Sequence, residues 1–416
     1  MHTPVPSQKQ LGLTLLAAFL GWMFDGMEMG IFPLVARPAL QEMQAAAGII
    51  GEQFVQLWMG RITALFLIGA AAGGLVFGWL GDRVGRVRAM TWSILTYSIF
   101  AGLSYFAREP WQLGGLRFLG ALGMGGEWSL GVALVMECWP ADKRPLMAGL
   151  IGASANLGYC LIAVVAMVFH VTQDSWRWVM LVGAAPALLT FVIRLFVPES
   201  ERWQHAVAVA GRANPVREIF APALRGRTLL AIGLASVALI VTWGVVQWVP
   251  LWADQMTHGQ QPKVKAYAQF WQSFGAVIGS LAAPLIGLRF GRRPVYFSLC
   301  ASALLACALL FRGFAEYNAL FLGAVCLVGM TTASFYGWLP QYLPELFPTR
   351  VRATGQGLAF NFGRILAAAG AWQMGSVLGW FDKSYAKAGA TISLIYLLGM
   401  LLIRFAPETR GRPLPE

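Results

Sequence analysis

The sequence predicts an all-α membrane protein with twelve transmembrane helices in two six-helix, pseudo-symmetric halves. Three observations carry that prediction. Only 12% of the 416 residues are charged and 57% are hydrophobic, whereas a soluble domain carries roughly 25% charged residues. Apolar stretches near twenty residues, long enough to cross a bilayer, recur along the whole chain. Sequence patterns also recur at a nearly constant separation, as expected of a duplicated unit.

The apolar stretches place candidate spans at roughly 11–36, 57–80, 89–107, 112–137, 145–170, 176–197, 228–252, 265–288, 294–312, 317–341, 353–378 and 387–405. The first is too long for a signal h-region and has no small-residue cleavage site behind it, so it reads as a retained helix. The interval 37–56, the longest outer loop, is too short for a folded domain. In the seventh span, Pro250 is expected to break the helix near its outer side. The most polar interval, 199–227, reads as a cytoplasmic linker with a short interfacial helix between a bundle at 1–198 and a bundle at 228–416.

The repeat is visible in three pairs. "GWLGDRVGR" begins at Gly78 and "GLRFGRR" at Gly287, 209 residues later. "PESERW" begins at Pro198 and "PETRGR" at Pro407, again 209 later. "ECWPADKR" begins at Glu137 and "ELFPTRVR" at Glu345, 208 later. At the first offset Asp82 falls on Gly291, so the second copy lacks the acid.

The formal charge of +12 is distributed by topology and does not indicate a nucleic-acid partner. With the N-terminus inside, nineteen Lys and Arg fall in cytoplasmic segments and eight in outer ones. This bias puts both termini in the cytoplasm and adds attraction to anionic lipid. The five cysteines lie in or beside apolar runs without CxxC spacing, and the four histidines are scattered. Neither a disulfide, a metal site nor a cofactor is expected. "GALGMGG" sits inside a span and matches no phosphate-binding loop, and no catalytic constellation is visible, so an enzyme is not expected.

Charged groups inside spans are costly and mark function. Asp25 and Glu28 are three apart and share a face of the first span, which must turn to the bundle interior or to a water-filled path. Arg117 and Glu127 lie in the fourth span; Glu28 and Glu127 are second candidates for proton or substrate handling, and the alternative for Glu127 is structural support of the first span by a hydrogen bond. Arg364, after Asn361 in the eleventh span, is a permanent cation whose natural partner is a substrate carboxylate. Its alternatives are a standing pair with Glu28 or Glu127, or a side chain that snorkels. Arg61 is expected to snorkel to the outer interface. Asn156, Trp243, Gln247, Gln272, Tyr336 and Gln373 complete the candidate cavity residues.

"GWLGDRVGR", "RFLGALGMGG", "PESERW" and "PETRGR" resemble the major facilitator superfamily, and most closely its sugar-porter-like branch. "GMGGEW", the acidic pair of the first span and "RATGQGLAFNFGR" resemble its metabolite, sialate and aromatic-acid proton symporters. The resemblance implies that Asp82 and Arg86 gate the halves. It also implies that Glu137 with Arg144, Glu345 with Arg352, and the two Pro-Glu motifs form a charge network that breaks as the halves rock. It implies further that Asp25 carries the proton with Arg117 as its modulator; the alternative is a static buried pair. Sugar porters usually carry several amides on the seventh span; here Gln247 stands alone. The expected protein is therefore a monomeric, proton-coupled symporter of a small organic anion in a bacterial-type inner or plasma membrane. A sugar or drug carrier is the alternative within the class, and a channel or sensor the alternative outside it.

Overall fold

The computed structural model describes residues 7–48, 51–169, 171–181, 196–210, 214–258, 260–261, 263–372, 379–382 and 384–416. The first helix, α1 (Gln8–Ala46), starts from a capping box. The Ser7 hydroxyl accepts the Gln10 amide at 3.3 Å and the Gln10 side chain accepts the Ser7 amide at 2.8 Å. The helix does not stop near residue 36. It runs through Pro33 and Pro38 for ten residues more. Ala39, Leu40 and Met43 are buried there with Val55, Ile62 and Trp176, and this packing compensates the hydrogen bonds that the prolines remove. The expected 37–56 loop therefore contracts to the few residues before α2.

The chain continues through α2 (Glu52–Val84), α3 (Arg86–Leu103), α4 (Pro110–Cys138) and α5 (Arg144–Val168). Two short helices, α6 (Glu201–Ala210) and α7 (Pro215–Ile219), follow the first Pro-Glu motif. Then come α8 (Arg225–Gly244), α9 (Val249–Met256), α10 (Val264–Phe290), α11 (Arg292–Gly313), α12 (Ala319–Tyr342), α13 (Arg352–Trp372), α14 (Tyr385–Ile392) and α15 (Ile395–Leu402). Among the described residues, nine helical segments are long and apolar enough to cross a membrane. Of the other three candidate spans, α3 and α13 are described as helices, and both carry Arg at their starts. Most of 176–197 lies outside the described residues, as does Gln373.

Packing repeats along the chain. In the first half α2 packs on α4 and α1 on α5; in the second α10 packs on α12 and α8 on α13. The halves meet where α2 lies on α13 and α5 lies on α10. At the α2–α13 contact a Cβ on Gly74 would collide with Asn361 and the Gly357 carbonyl, so glycine sets how closely the backbones approach. The expected break in the seventh span is real but falls earlier. Helix α8 ends at Gly244, a 3-10 turn spans Val246–Trp248, and Pro250 opens the first turn of α9. Proline is favoured there because its missing N–H needs no partner.

Candidate functional site

At one end of the molecule the two repeats build the same clamp. Gly85 and Gly291 precede α3 and α11 with φ of 115° and 90°, a conformation that glycine adopts without strain. The next residue in each case is an Arg. Arg86 donates to the Gly81 carbonyl at 2.7 Å and to Glu137 at 3.0 Å. Arg292 donates to the Gly287 carbonyl at 3.1 Å and to Glu345 at 2.7 Å. The backbone amide of Arg86 reaches Glu199 at 2.8 Å, and that of Arg292 reaches Glu408 at 3.0 Å. Ser200 donates to Glu137, and Thr409 donates to Glu345 at 2.5 Å. The geometry corrects the register drawn from the 209-residue offset: Gly291 corresponds to Gly85, and the residue in the place of Asp82 is Leu288.

The copies differ in what they reach. Asp82 accepts from Arg86 at 2.6 Å. It also accepts from the Ala353 amide at 3.2 Å, the Thr354 amide at 2.8 Å and the Thr354 hydroxyl at 2.6 Å. These donors stand at the N-terminus of α13, where the helix dipole favours an anion. Arg86 also donates to the Thr349 carbonyl at 2.6 Å, and Arg352 donates to Glu137 at 2.9 Å. This end is thus bolted between halves. The contacts also revise the expected pairs. Glu137 is shared by Arg86 and Arg352, while Glu345 belongs to Arg292 within its own half. Arg144 instead donates to the Trp139 carbonyl at 3.1 Å. The Pro415 carbonyl accepts from Arg352 at 2.7 Å and holds it in place.

Away from the clamp, Arg117 makes a buried ion pair with Glu28. The sequence had matched Arg117 with Asp25, one turn earlier on the same face of α1; the described ion pair goes to Glu28. The Arg117 guanidinium also lies 4.6 Å over Phe32 and 4.9 Å over Phe66. Asp25 and Glu127 are fully or almost fully buried, and both act electrostatically on Tyr97 together with Glu28.

Arg364 lines a cavity between the halves together with Trp22, Asn156, Tyr159, Thr242, Trp243, Gln247, Gln272 and Tyr336. The cavity volume is ≈ 70 Å³. The broken α8–α9 backbone brings Trp243 and Gln247 into it, a device suited to a binding site inside a bundle. The Arg364 Nη1 donates to Asn361 at 2.6 Å, while its Nε has no hydrogen-bond partner. Asn361 is committed to protein contacts: its amide nitrogen donates to Gly357 at 2.9 Å and Gly125 at 3.2 Å. It orients Arg364. Trp243 and Phe360 face the guanidinium at 5.8 and 5.6 Å. Asn156 donates to the Gly152 carbonyl at 3.1 Å. Arg61 is half-buried and lies near Trp58 and, across the halves, Trp372, at 5.3 and 5.8 Å.

Sequence reasoning missed Arg292 and Thr354. The signal for Arg292 was present as a Gly-Arg step in both loops. Thr354 carried none, because its role depends on which helix end faces Asp82.

Residues 13–371 match the model of the Major Facilitator Superfamily. The chain is 30% identical over 420 residues to a Cupriavidus pinatubonensis protein described as "Probable 4-methylmuconolactone transporter", covering 98% of this chain and 92% of the relative. It is 28% identical to the 3-(3-hydroxy-phenyl)propionate transporter of Escherichia coli, covering 99% and 98%. The proton:xylose symporter XylE, bound to 6-bromo-6-deoxy-D-glucose, has the same fold, with a TM-score of 0.79 at 18% identity over 98% of each chain. This multi-pass integral membrane protein belongs to the Major Facilitator Superfamily.

Proposed function

We propose that the protein is a proton-coupled symporter that brings a small organic anion into the cytoplasm by alternating access. The observation that carries this reading is Arg364. It is a buried cation at the wall of a cavity between the halves, with an unpartnered Nε and an aromatic and amide surround. A substrate carboxylate satisfies such a group by a charge-assisted hydrogen bond. A neutral sugar brings no charge to that Nε. The relative named for 3-(3-hydroxy-phenyl)propionate carries a carboxylate in its substrate's name, which supports the same chemistry.

Proton coupling is assigned to the α1 acids. Asp25 is the proton carrier, and Arg117 sets the charge beside it through Glu28. Burial disfavours an ionised carboxylate and an adjacent guanidinium favours it, so separating the pair during rocking changes proton affinity. The contacts of Asp82, Arg86, Glu137 and Arg352 between the halves support a gate, assigned in this reading to the cytoplasmic side, with both termini in the cytoplasm of a bacterial-type inner membrane. In the same reading, the chain is two bundles joined by a linker over 199–227 and works as a monomer.

The test is uptake of radiolabelled 3-(3-hydroxyphenyl)propionate into proteoliposomes under an inward proton gradient, with xylose as control. Wild type accumulates the carboxylate and not the sugar. Arg364→Gln loses at least tenfold in apparent affinity, and Asp25→Asn loses accumulation while retaining counterflow. Xylose accumulation, or an Arg364→Gln protein with unchanged affinity, overturns the organic-anion reading.

A further inference from the structure

We infer that the protein has a second, outer subsite for the carboxylate of its anionic substrate, built by Arg117, Lys265 and Gln269 and separate from the Arg364 cavity. The inference rests on the organic-anion reading and deepens it. Three spaces lie in series between the halves. The Arg364 cavity shares Trp243 and Gln247 with a neighbouring pocket. That pocket shares Lys265 with an open vestibule of ≈ 610 Å³ at the end remote from the clamp. A solute moving from vestibule to cavity therefore passes the middle pocket.

The lining of that pocket is selective by charge. Arg117 and Lys265 are its charged residues and no acid lines it among the described residues. Each cation has its acid, yet the acids stand outside the lining. Glu28 occupies Nη1 of Arg117 and leaves Nε without a hydrogen-bond partner. Asp254 lies 3.5 Å from the Lys265 ammonium, on the vestibule side. Gln269 adds an amide whose Nε2 holds only a long bond of 3.4 Å to the Tyr159 carbonyl. The first half contributes Arg117 and the second contributes Lys265 and Gln269, so the subsite spans the halves at this level. Two cations with an amide suit one carboxylate, and the low local dielectric strengthens each contact. The subsite receives the anion before Arg364 does and raises its local concentration.

The experiment is initial-rate uptake of 3-(3-hydroxyphenyl)propionate by the full-length protein in proteoliposomes, comparing Lys265→Gln, Lys265→Arg and Asp254→Asn. Lys265→Gln raises the half-saturating concentration about tenfold, with a smaller effect on the saturating rate. Lys265→Arg restores most of the loss. Asp254→Asn lowers the half-saturating concentration, because it releases the ammonium. Opposite signs for Lys265→Gln and Asp254→Asn mark an anion contact, since loss of a purely structural pair moves both variants the same way. Same-sign effects, or no change with Lys265→Gln, overturn the subsite and leave the Arg364 reading standing. A wild type that accumulates xylose and ignores the carboxylate overturns both.

Discussion

The two clamps make the most informative comparison in the molecule. Both have a glycine with positive φ, an Arg that bonds the preceding turn, a Glu at or just past the end of the neighbouring helix and a Pro-Glu motif whose Glu accepts from the first two backbone amides of the next helix. They differ at one position above all. Asp82 in the first copy crosses to the N-terminus of α13, whereas Leu288 in the second has no such chemistry. Glu137 likewise reaches across to Arg352, while Glu345 stays with Arg292 in its own half. One copy is therefore a bolt between halves and the other a brace within one half. The repeat supplies the same parts twice, and only the copy with the acid reaches across to the other half.

That contrast is broken most forcefully at Asp82. Asp82→Ala removes acceptors from two buried amides, a hydroxyl and Arg86, a loss of about 3 kcal/mol or more. If the bolt holds this end shut, the population open here rises roughly hundredfold. Spin labels across α2 and α13 then show a longer distance at this end by double electron–electron resonance. An unchanged distance distribution removes the bolt role. Leu288→Ala, its counterpart, leaves the distribution as in wild type.

Glu137→Gln and Glu345→Gln sharpen the same contrast at smaller magnitude. Glu137→Gln opens the clamp end, with a shift of about 2 kcal/mol in the conformational equilibrium. Glu345→Gln lowers thermal stability by a similar amount without altering the cross-half distance. Equal behaviour of the two variants contradicts the division of labour.

The smallest effect is in pH dependence. Burial pushes the Glu199 carboxyl above the usual glutamate range, against the amides of Ser200, Arg86 and Val87. Burial also pushes Glu408 upward, but the amides of Arg292, Arg293 and Arg410 outweigh it and hold that carboxyl below the range. The signs follow by linkage. A raised folded-state value contributes stability at low pH that falls away as pH rises through it. A lowered value contributes stability above the ordinary range that is lost as pH falls through it. Subtracting the pH profile of melting temperature for Glu199→Gln from wild type leaves a contribution that declines with rising pH; for Glu408→Gln it leaves one that grows. Parallel profiles contradict the assignment.

Much of this was legible in the sequence for physical reasons. A bilayer demands apolar runs of known length, so the spans of α2, α4, α5, α10 and α12 stand out. Charged residues are so costly at depth that Asp25, Glu28, Arg117 and Arg364 identify themselves. The extension of α1 past Pro38 was hidden, because burial of Leu40 and Met43 depends on partners distant in sequence. The pairing of Arg117 with Glu28 was also hidden, since helix periodicity puts both acids on one face and leaves the choice to rotation. The asymmetry of Glu137 and Glu345 could not be read either, because each has an Arg seven residues on and only the packing of the halves decides which Arg arrives.

The most direct measurement of the central claim counts protons taken up on binding 3-(3-hydroxyphenyl)propionate. Isothermal titration calorimetry in buffers of different ionisation enthalpy gives that number. A coupled symporter with its proton site on α1 takes up about one proton per carboxylate in wild type, by linkage, and close to none in Asp25→Asn, while Arg364→Gln binds the carboxylate at least tenfold more weakly. Binding without proton uptake in wild type, or undiminished uptake in Asp25→Asn, contradicts coupling through that residue.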